Sequence, residues 1–335
     1  MSAQRKVKWG VLSTASIGVE KVIPALRRSE LCDVVAIASR DAAKARAAAE
    51  KLGIPRAYGS YEELLGDAEV EVVYNPLPNH LHVPWSVRAA EAGKHVLCEK
   101  PVAMSAKEAE ELVAVRDRTG VRMQEAFMVR THPQWIGTLE RIRDGLIGDL
   151  VAAQYVFSFF DRDPVSIVNQ AHIGGGTLMD IGCYPIRTSR FVLGGEPRRV
   201  FGHIERDPEL RIDRLVSGIL DYPSAQVSFV ASTQMVPFQR AHFFGTQGRL
   251  EIEIPFNAPP DRPCRVFLDD GDLLGSNIET IEFATCDQYA IQGDDFSRAL
   301  LDGRPVTVPL EDAVKNMRVI EAVFRSAESG RWETP

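Results

Sequence analysis

An excess of basic charge is missing from this chain: 39 Lys and Arg stand against 46 Asp and Glu, a formal net charge of −7. Sequence-independent binding to nucleic acid or to an anionic membrane surface needs the opposite balance, so both partners are set aside. Long apolar runs are also missing, and with them any candidate membrane span. No C-x-x-C pair occurs. The five cysteines (Cys32, Cys98, Cys183, Cys264, Cys286) are odd in number and scattered, which favours free thiols in a reducing compartment over disulfides or a zinc site. The seven histidines show no ligand spacing, so no metal is expected. No apolar leader or twin-arginine signal precedes the first strand-like run, and the chain reads as a soluble cytoplasmic protein.

What is present divides into two grammars. In the first, short apolar runs at Val7–Leu12, 33–39, 70–75, His95–Glu99 and 121–125 alternate with helical patterns at 17–28, Ala42–Leu52, 61–66, 83–92 and Ala106–Thr119. Strand–helix alternation of this kind implies a doubly wound parallel sheet with right-handed crossovers. Beyond residue 125 come helical patterns at 133–145 and 176–193, then strand candidates at 152–160, 198–204, 215–221, Gln226–Ser232, 241–245, 249–254, 265–268 and 278–283. Several alternate apolar with polar residues, as an antiparallel sheet with one wet face requires. Helices at 287–301 and 310–328 close the chain. The expected fold is α/β: a dinucleotide-binding domain over 1–125, and an α+β domain over 126–335 with a large open, mostly antiparallel sheet.

The first strand runs into Ser13-Thr14-Ala15-Ser16-Ile17-Gly18. The dinucleotide fingerprint places glycine at the positions of Ser13, Ala15 and Gly18. Only Gly18 conforms, and it serves close helix–sheet packing. Ser13 and Ala15 are small enough for a helix starting near Ser16 to present backbone N–H groups to phosphates, so Ser13 to Ile17 form the expected pyrophosphate contact. The second strand ends at Ser39-Arg40, where an NAD-selective domain carries an acidic residue. A hydroxyl and a guanidinium suit a 2′-phosphate instead, with Lys44 adding charge or standing solvated. Asp41 reads as the N-cap of the following helix. NADP is therefore the expected cofactor, with NAD possible. The loop 75–82 ends a further strand, and its Leu77, Asn79 and His82 are candidate cofactor contacts; His80 reads as surface.

Glu99-Lys100-Pro101 follows the strand His95–Glu99, and the Lys100–Pro101 bond is a candidate for the cis form. A lysine near a positively charged nicotinamide loses proton affinity and enters the working range. A solvated strand-end lysine paired with Glu99 is the structural alternative. Gly174-Gly175-Gly176 opens a helix that places Asp180 and Tyr184 at i and i+4, with Thr177 and Arg187 extending the stripe. A phenol near pKa ~10 is a poor base until a neighbouring ammonium favours the phenolate. A polar seam between domains is the alternative there.

Together, the turn Ser13–Gly18, the loop Asn75–His82, Glu99-Lys100-Pro101 and Asp180-x-x-x-Tyr184 resemble the Gfo/Idh/MocA oxidoreductase family. The resemblance implies an N-terminal Rossmann domain and a second domain that carries the substrate site and often forms oligomers, here a homodimer or homotetramer. It implies that Lys100, with Glu99, lies near nicotinamide and substrate, and that Lys100, Asp180 and Tyr184 are catalytic. Lys100, Phe127, Arg130, Asn169, Asp180 and Tyr184 form the expected substrate-binding set. Tyr184, where the inositol dehydrogenase branch has His, is similar to glucose–fructose oxidoreductase, NADP-dependent D-xylose dehydrogenases and dimeric dihydrodiol dehydrogenases. The segment Glu125–Arg130 with His132-Pro133-Gln134 resembles the latter two. The expected activity is NADP-dependent oxidation of a sugar or cyclic polyol hydroxyl, first an aldopyranose at C1 to the lactone. Alternatives are a trans-dihydrodiol dehydrogenase, a sugar ketoreductase, and a catalytically silent dinucleotide sensor.

Overall fold

The computed structural model describes residues 5–335; residues 1–4, on which the reading of a leaderless N-terminus partly rests, lie outside the described residues. The chain divides into two compact units, Met1–Thr131 with Asp287–Val314, and His132–Cys286 with Lys315–Pro335. The sequence reading ended the first domain at residue 125 and put everything later in the second. Here the segment Asp287–Val314 groups with the N-terminal unit instead.

The N-terminal unit is built on strands β1 (Val7–Leu12), β2 (Cys32–Ala38), β3 (Arg56–Tyr58), β4 (Val72–Asn75), β5 (His95–Glu99) and β6 (Met123–Ala126). All pair in parallel, in the order β3-β2-β1-β4-β5-β6. The three-residue β3 was not read from the sequence, because Arg56-Ala57-Tyr58 is too short to show a period. The strand order turns back between β1 and β4, so the turn after β1 and the loop after β4 both open at the carboxyl edge, where such sheets bind ligands. Helices α1 (Ile23–Arg28), α2 (Ala42–Leu52), α3 (Tyr61–Leu65), α4 (His82–Glu91) and α5 (Ala106–Thr119) make the crossovers. The central strands are buried on both faces, as a sheet covered by helices requires. Trp9 anchors the core: it is fully buried, lies 5.7 Å from the Phe296 ring, and its indole N–H donates to Ser297 Oγ at 3.2 Å.

The second unit begins with α6 (Pro133–Arg143) and β7 (Leu150–Phe160), followed by α7 (Cys183–Leu193). Then come β8 (Arg199–Arg206), β9 (Asp213–Asp221), β10 (Gln226–Ser232), β11 (Gln234–Gly245), β12 (Arg249–Ile252), β13 (Cys264–Asp269) and β14 (Glu279–Phe283). They form one eight-stranded sheet, in the order β14-β13-β12-β11-β7-β10-β9-β8. Only the β7/β10 pair is parallel. The alternation read in Gln226–Ser232 is realised: Val227, Phe229 and Ala231 are buried while Ser228 and Val230 are half-exposed. β11 is longer than the 241–245 expected and has Pro237 in its first half. That proline sits where the pairing with β7 skips between Gln234 and Phe238, an irregularity that tolerates a missing N–H. Two helices finish the chain, α8 (Gln288–Leu301) and α9 (Leu310–Ser329). Among the described residues no helix is long and apolar enough to cross a membrane.

Candidate active site

Ser13 has φ +69°, the left-handed backbone that glycine adopts without penalty. Its hydroxyl accepts the Ala15 N–H at 3.2 Å, a side-chain turn that supports this conformation locally. The fingerprint's first glycine is thus replaced by a residue that keeps glycine's conformation. Gly18 behaves differently from the expectation. A Cβ there would lie 3.6 Å from Pro76, ordinary contact, so packing does not demand glycine. The first helix opens with a π-helical turn over Gly18–Val22 before continuing as α1.

At the end of β2, Ser39 is buried and its hydroxyl accepts the Asp41 N–H at 3.2 Å. Asp41 caps α2, its Oδ1 accepting the N–H groups of Ala43 at 2.9 Å and Lys44 at 3.2 Å. Arg40 and Lys44 are exposed. Arg40 interacts with the buried Tyr61 hydroxyl, and this offsets part of the rise that burial imposes on the phenol's pKa.

The loop after β4 is held from beneath. Asn75 Nδ2 donates to His82 O at 3.0 Å and Ser86 Oγ at 3.1 Å, and its Oδ1 accepts the Leu77 N–H. His82 is buried, and its ring nitrogens lie 2.7 Å from Pro101 O and 2.6 Å from Leu77 O. Each ring nitrogen faces a backbone carbonyl, a neutral ring donating to one of the two only, and the ring braces two loops instead of offering a polar group to a cofactor. Burial holds His82 down to about 4, so it is neutral at pH 7. Leu77 is buried, Asn79 half-exposed and His80 exposed.

Lys100 is half-buried at the end of β5, and its bond to Pro101 is cis. Glu99 accepts the Tyr74 hydroxyl at 2.7 Å and the Lys100 backbone N–H at 3.3 Å. Burial raises the Glu99 carboxyl's pKa, and the Lys100 charge opposes the rise. Burial also raises the Tyr289 phenol well above its ordinary value, with Glu99 adding to the rise and Lys100 opposing it. Tyr289 stands on α8 and was missed; nothing local in a helix so far along the chain ties it to Lys100. Phe127 is fully buried, and Arg130 faces Asp312 at 3.9 Å.

In the second unit the glycine triple has a geometric cause. Gly174 and Gly176 have φ +88° and +118°. A Cβ on Gly175 would lie 2.6 Å from the carbonyl oxygens of Ile167 and Val168. The chain then makes a π-helical turn over Leu178–Gly182 and continues as α7, so Asp180 and Tyr184 are separated by a wider turn than the α-helix expected from the sequence. Asp180 is half-buried and Tyr184 buried. The Tyr184 ring meets Phe157 edge-on at 5.5 Å and Phe256 at 5.2 Å. Phe256, also missed, lies in an irregular stretch with no period to mark it. Asn169 is buried; its Nδ2 donates to Asp161 Oδ1 at 3.1 Å and Asp163 O at 2.9 Å, bracing a loop, while its Oδ1 has no hydrogen-bond partner.

Residues 7–127 match an oxidoreductase family described as having an NAD-binding Rossmann fold, and residues 138–251 match a GFO/IDH/MocA C-terminal domain. The chain belongs to the Gfo/Idh/MocA oxidoreductase family. Its similarity to family members runs nearly end to end. It is 50% identical to an uncharacterised oxidoreductase of Rhizobium meliloti over 98% of this chain and 99% of that one. It is 39% identical to a D-xylose 1-dehydrogenase (NADP(+)) of Haloferax volcanii, over 96% and 98% of the two chains. The structure of a 3-ketoreductase from Actinomadura kijaniata, in complex with NADP and TDP-benzene, superposes with a TM-score of 0.90 at 30% identity, covering 96% and 98% of the two chains. The family resemblance read from the motifs and the two-part architecture are thereby shown.

Proposed function

We propose that the chain is an NADP-dependent sugar dehydrogenase whose preferred reaction is oxidation of an aldopyranose at C1 to the lactone. The observation that carries the reading is the near full-length similarity to an NADP-dependent D-xylose 1-dehydrogenase in a chain that has both Lys100 and Tyr184. The residues present fit a dinucleotide. Ser13 holds the left-handed turn beneath the pyrophosphate, with Thr14, Ala15, Ser16 and Ile17 completing it, and Ser39, Arg40 and Lys44 receive the 2′-phosphate. Leu77, Asn79 and Glu99 belong to the same proposed cofactor set. When bound, NADP⁺ supplies the hydride acceptor at nicotinamide C4.

The rest of the chemistry falls to side chains. Tyr184 removes the proton of the substrate hydroxyl, and the Lys100 ammonium favours the phenolate that does so. Asp180 accepts a hydrogen bond from a neighbouring hydroxyl and fixes which carbon reacts. Phe157 and Phe256 fix the phenol ring, leaving it few ways to turn from the substrate. Arg130 and Phe127 complete the proposed substrate set. Asn169 enters it through its buried Oδ1 and through the loop it braces.

A sugar ketoreductase is the second reading, favoured by the superposition on a 3-ketoreductase, and uses the same residues in the reverse direction. A trans-dihydrodiol dehydrogenase suits the aromatic wall around Tyr184. A silent sensor is disfavoured by the presence of both Lys100 and Tyr184. We further place the enzyme in the cytoplasm, since none of the five cysteines forms a disulfide, and propose a homo-oligomer, dimer or tetramer.

The test follows NADPH absorbance with D-xylose, D-glucose, myo-inositol and a trans-dihydrodiol, with NAD⁺ in parallel. NADPH formation on an aldose, with kcat lowered about 10²- to 10⁴-fold in Tyr184→Phe, is the expected result. Binding of NADP without turnover of any member of the panel, or full activity in Tyr184→Phe, overturns the aldose assignment or the role of Tyr184 respectively.

A further inference from the structure

Asp213 is a buried carboxylate at the first position of β9, in a place where burial needs a reason. Its Oδ2 accepts the Leu178 backbone N–H at 2.6 Å. Its Oδ1 fills the space beside Gly176, 1.9 Å from where a Cβ would stand. The carboxylate therefore sits against the opening turn of the helical segment that carries Asp180 and Tyr184. A second tie fixes the same turn: Thr177 Oγ1 lies 3.1 Å from Thr233 Oγ1 and accepts the Thr233 N–H at 3.2 Å.

We propose that Asp213 is a positioning residue for Asp180 and Tyr184: it holds the Gly176–Leu178 turn through the Leu178 N–H and the space beside Gly176. The proposal rests on the reading of Tyr184 and Asp180 given above. An ionised carboxylate at a helix N-terminus is favoured by the exposed N–H groups there, and a neutral one forfeits most of that attraction. The charged groups bearing on Asp213 are Arg206, its cross-strand partner on β8, and Asp180 on the helical segment. Its own backbone N–H and that of Leu178 also favour the ionised form. Burial outweighs these and lifts the carboxyl from its ordinary 3.8 to about 6, with Asp180 adding to the rise. Protonation thus occurs within the range in which such an enzyme is assayed. Below the midpoint, one carboxyl oxygen still accepts from Leu178, but the charge that strengthens this bond is gone.

The experiment has two arms. In the first, the carboxyl carbon of Asp213 and the amide of Leu178 are followed by NMR in the wild-type chain as pH changes. A common midpoint near 6 is expected; a midpoint at the ordinary aspartate value, or a Leu178 amide that ignores the titration, overturns the proposal. This arm needs no substrate and no variant, so it decides even if the substrate panel is silent or Asp213→Asn does not fold. In the second arm, kcat and KM are measured from pH 5 to 8 with any substrate that turns over. Wild type should show an acid limb near pH 6 that Asp213→Asn lacks or moves by about one pH unit or more, with KM for NADP changed less than about threefold. An acid limb identical in the two proteins overturns the proposed coupling.

Discussion

Arg40 shows how far one residue can carry a specificity argument. It follows β2 with Ser39 before it, and the adjacent Asp41 caps α2 through its Oδ1. A charge-assisted contact between guanidinium and phosphate contributes about 1.5–3 kcal/mol. Arg40→Ala should therefore raise KM for NADP about 10- to 100-fold while leaving kcat near wild type and KM for NAD within a factor of about three. Initial-rate kinetics with both cofactors check this, and an equal loss with NAD would show that Arg40 does not read the 2′-phosphate. The Asp41 cap was legible here because capping is local. The role of a residue was less legible at His82, whose type and position suggested cofactor contact. Its two carbonyl partners, Leu77 O and Pro101 O, come from separate loops and cannot be read from the sequence around it.

At the scale of elements, the glycine triple was readable as a helix opening, but its cause was not. Gly176 is glycine because its φ is +118° and because a Cβ would collide with Asp213, a residue 37 positions later in the chain. Gly194, at the other end of α7, has φ +68° with nothing within 4 Å of a Cβ. The two glycines thus separate backbone strain from collision. Gly194→Ala should cost about 1 kcal/mol, the penalty of a left-handed alanine. Gly176→Ala adds displacement of a buried carboxylate and should cost about 3 kcal/mol or more, with loss of activity. Urea unfolding of both variants measures the difference, and equal costs would mean that Asp213 yields without resistance. The π-helical turn over Leu178–Gly182 was illegible for a different reason. Apolar periodicity does not distinguish a widened turn from an α-helical one over five residues.

For the whole molecule, the architecture was legible wherever pattern is local. Strand–helix alternation yielded the parallel sheet, and period-two alternation yielded most of the second sheet. Docking of distant segments was not legible. α8 carries an apolar face with no address, and what assigns it to the N-terminal unit is Phe296 against Trp9 and the close approach of Gly293 to Leu26, where a Cβ would lie 2.1 Å from Leu26 Cδ2. The outward face of the second sheet bears on the proposed oligomer. Phe160, Phe238 and Phe244 are 63%, 45% and 37% exposed on β7 and β11, and Val156 and Val230 lie between them in register on β7 and β10. Charges on this face are already paired within it, Arg240 with Glu251 at 3.0 Å, Arg249 with Asp269 at 2.9 Å and Arg199 with Asp221 at 2.8 Å. A second copy can cover such a face without bringing a complementary charge of its own, and a stable contact needs about 1,200–2,000 Å² of it. Sedimentation of the native chain should therefore give a dimer or a tetramer. The double change Phe238→Asp with Phe244→Asp should shift it towards monomer by desolvating unpaired charge at the contact, while far-UV circular dichroism stays unchanged. A native chain that sediments as a monomer at micromolar concentration rules out the oligomer; an oligomer indifferent to both substitutions moves its contact to another surface.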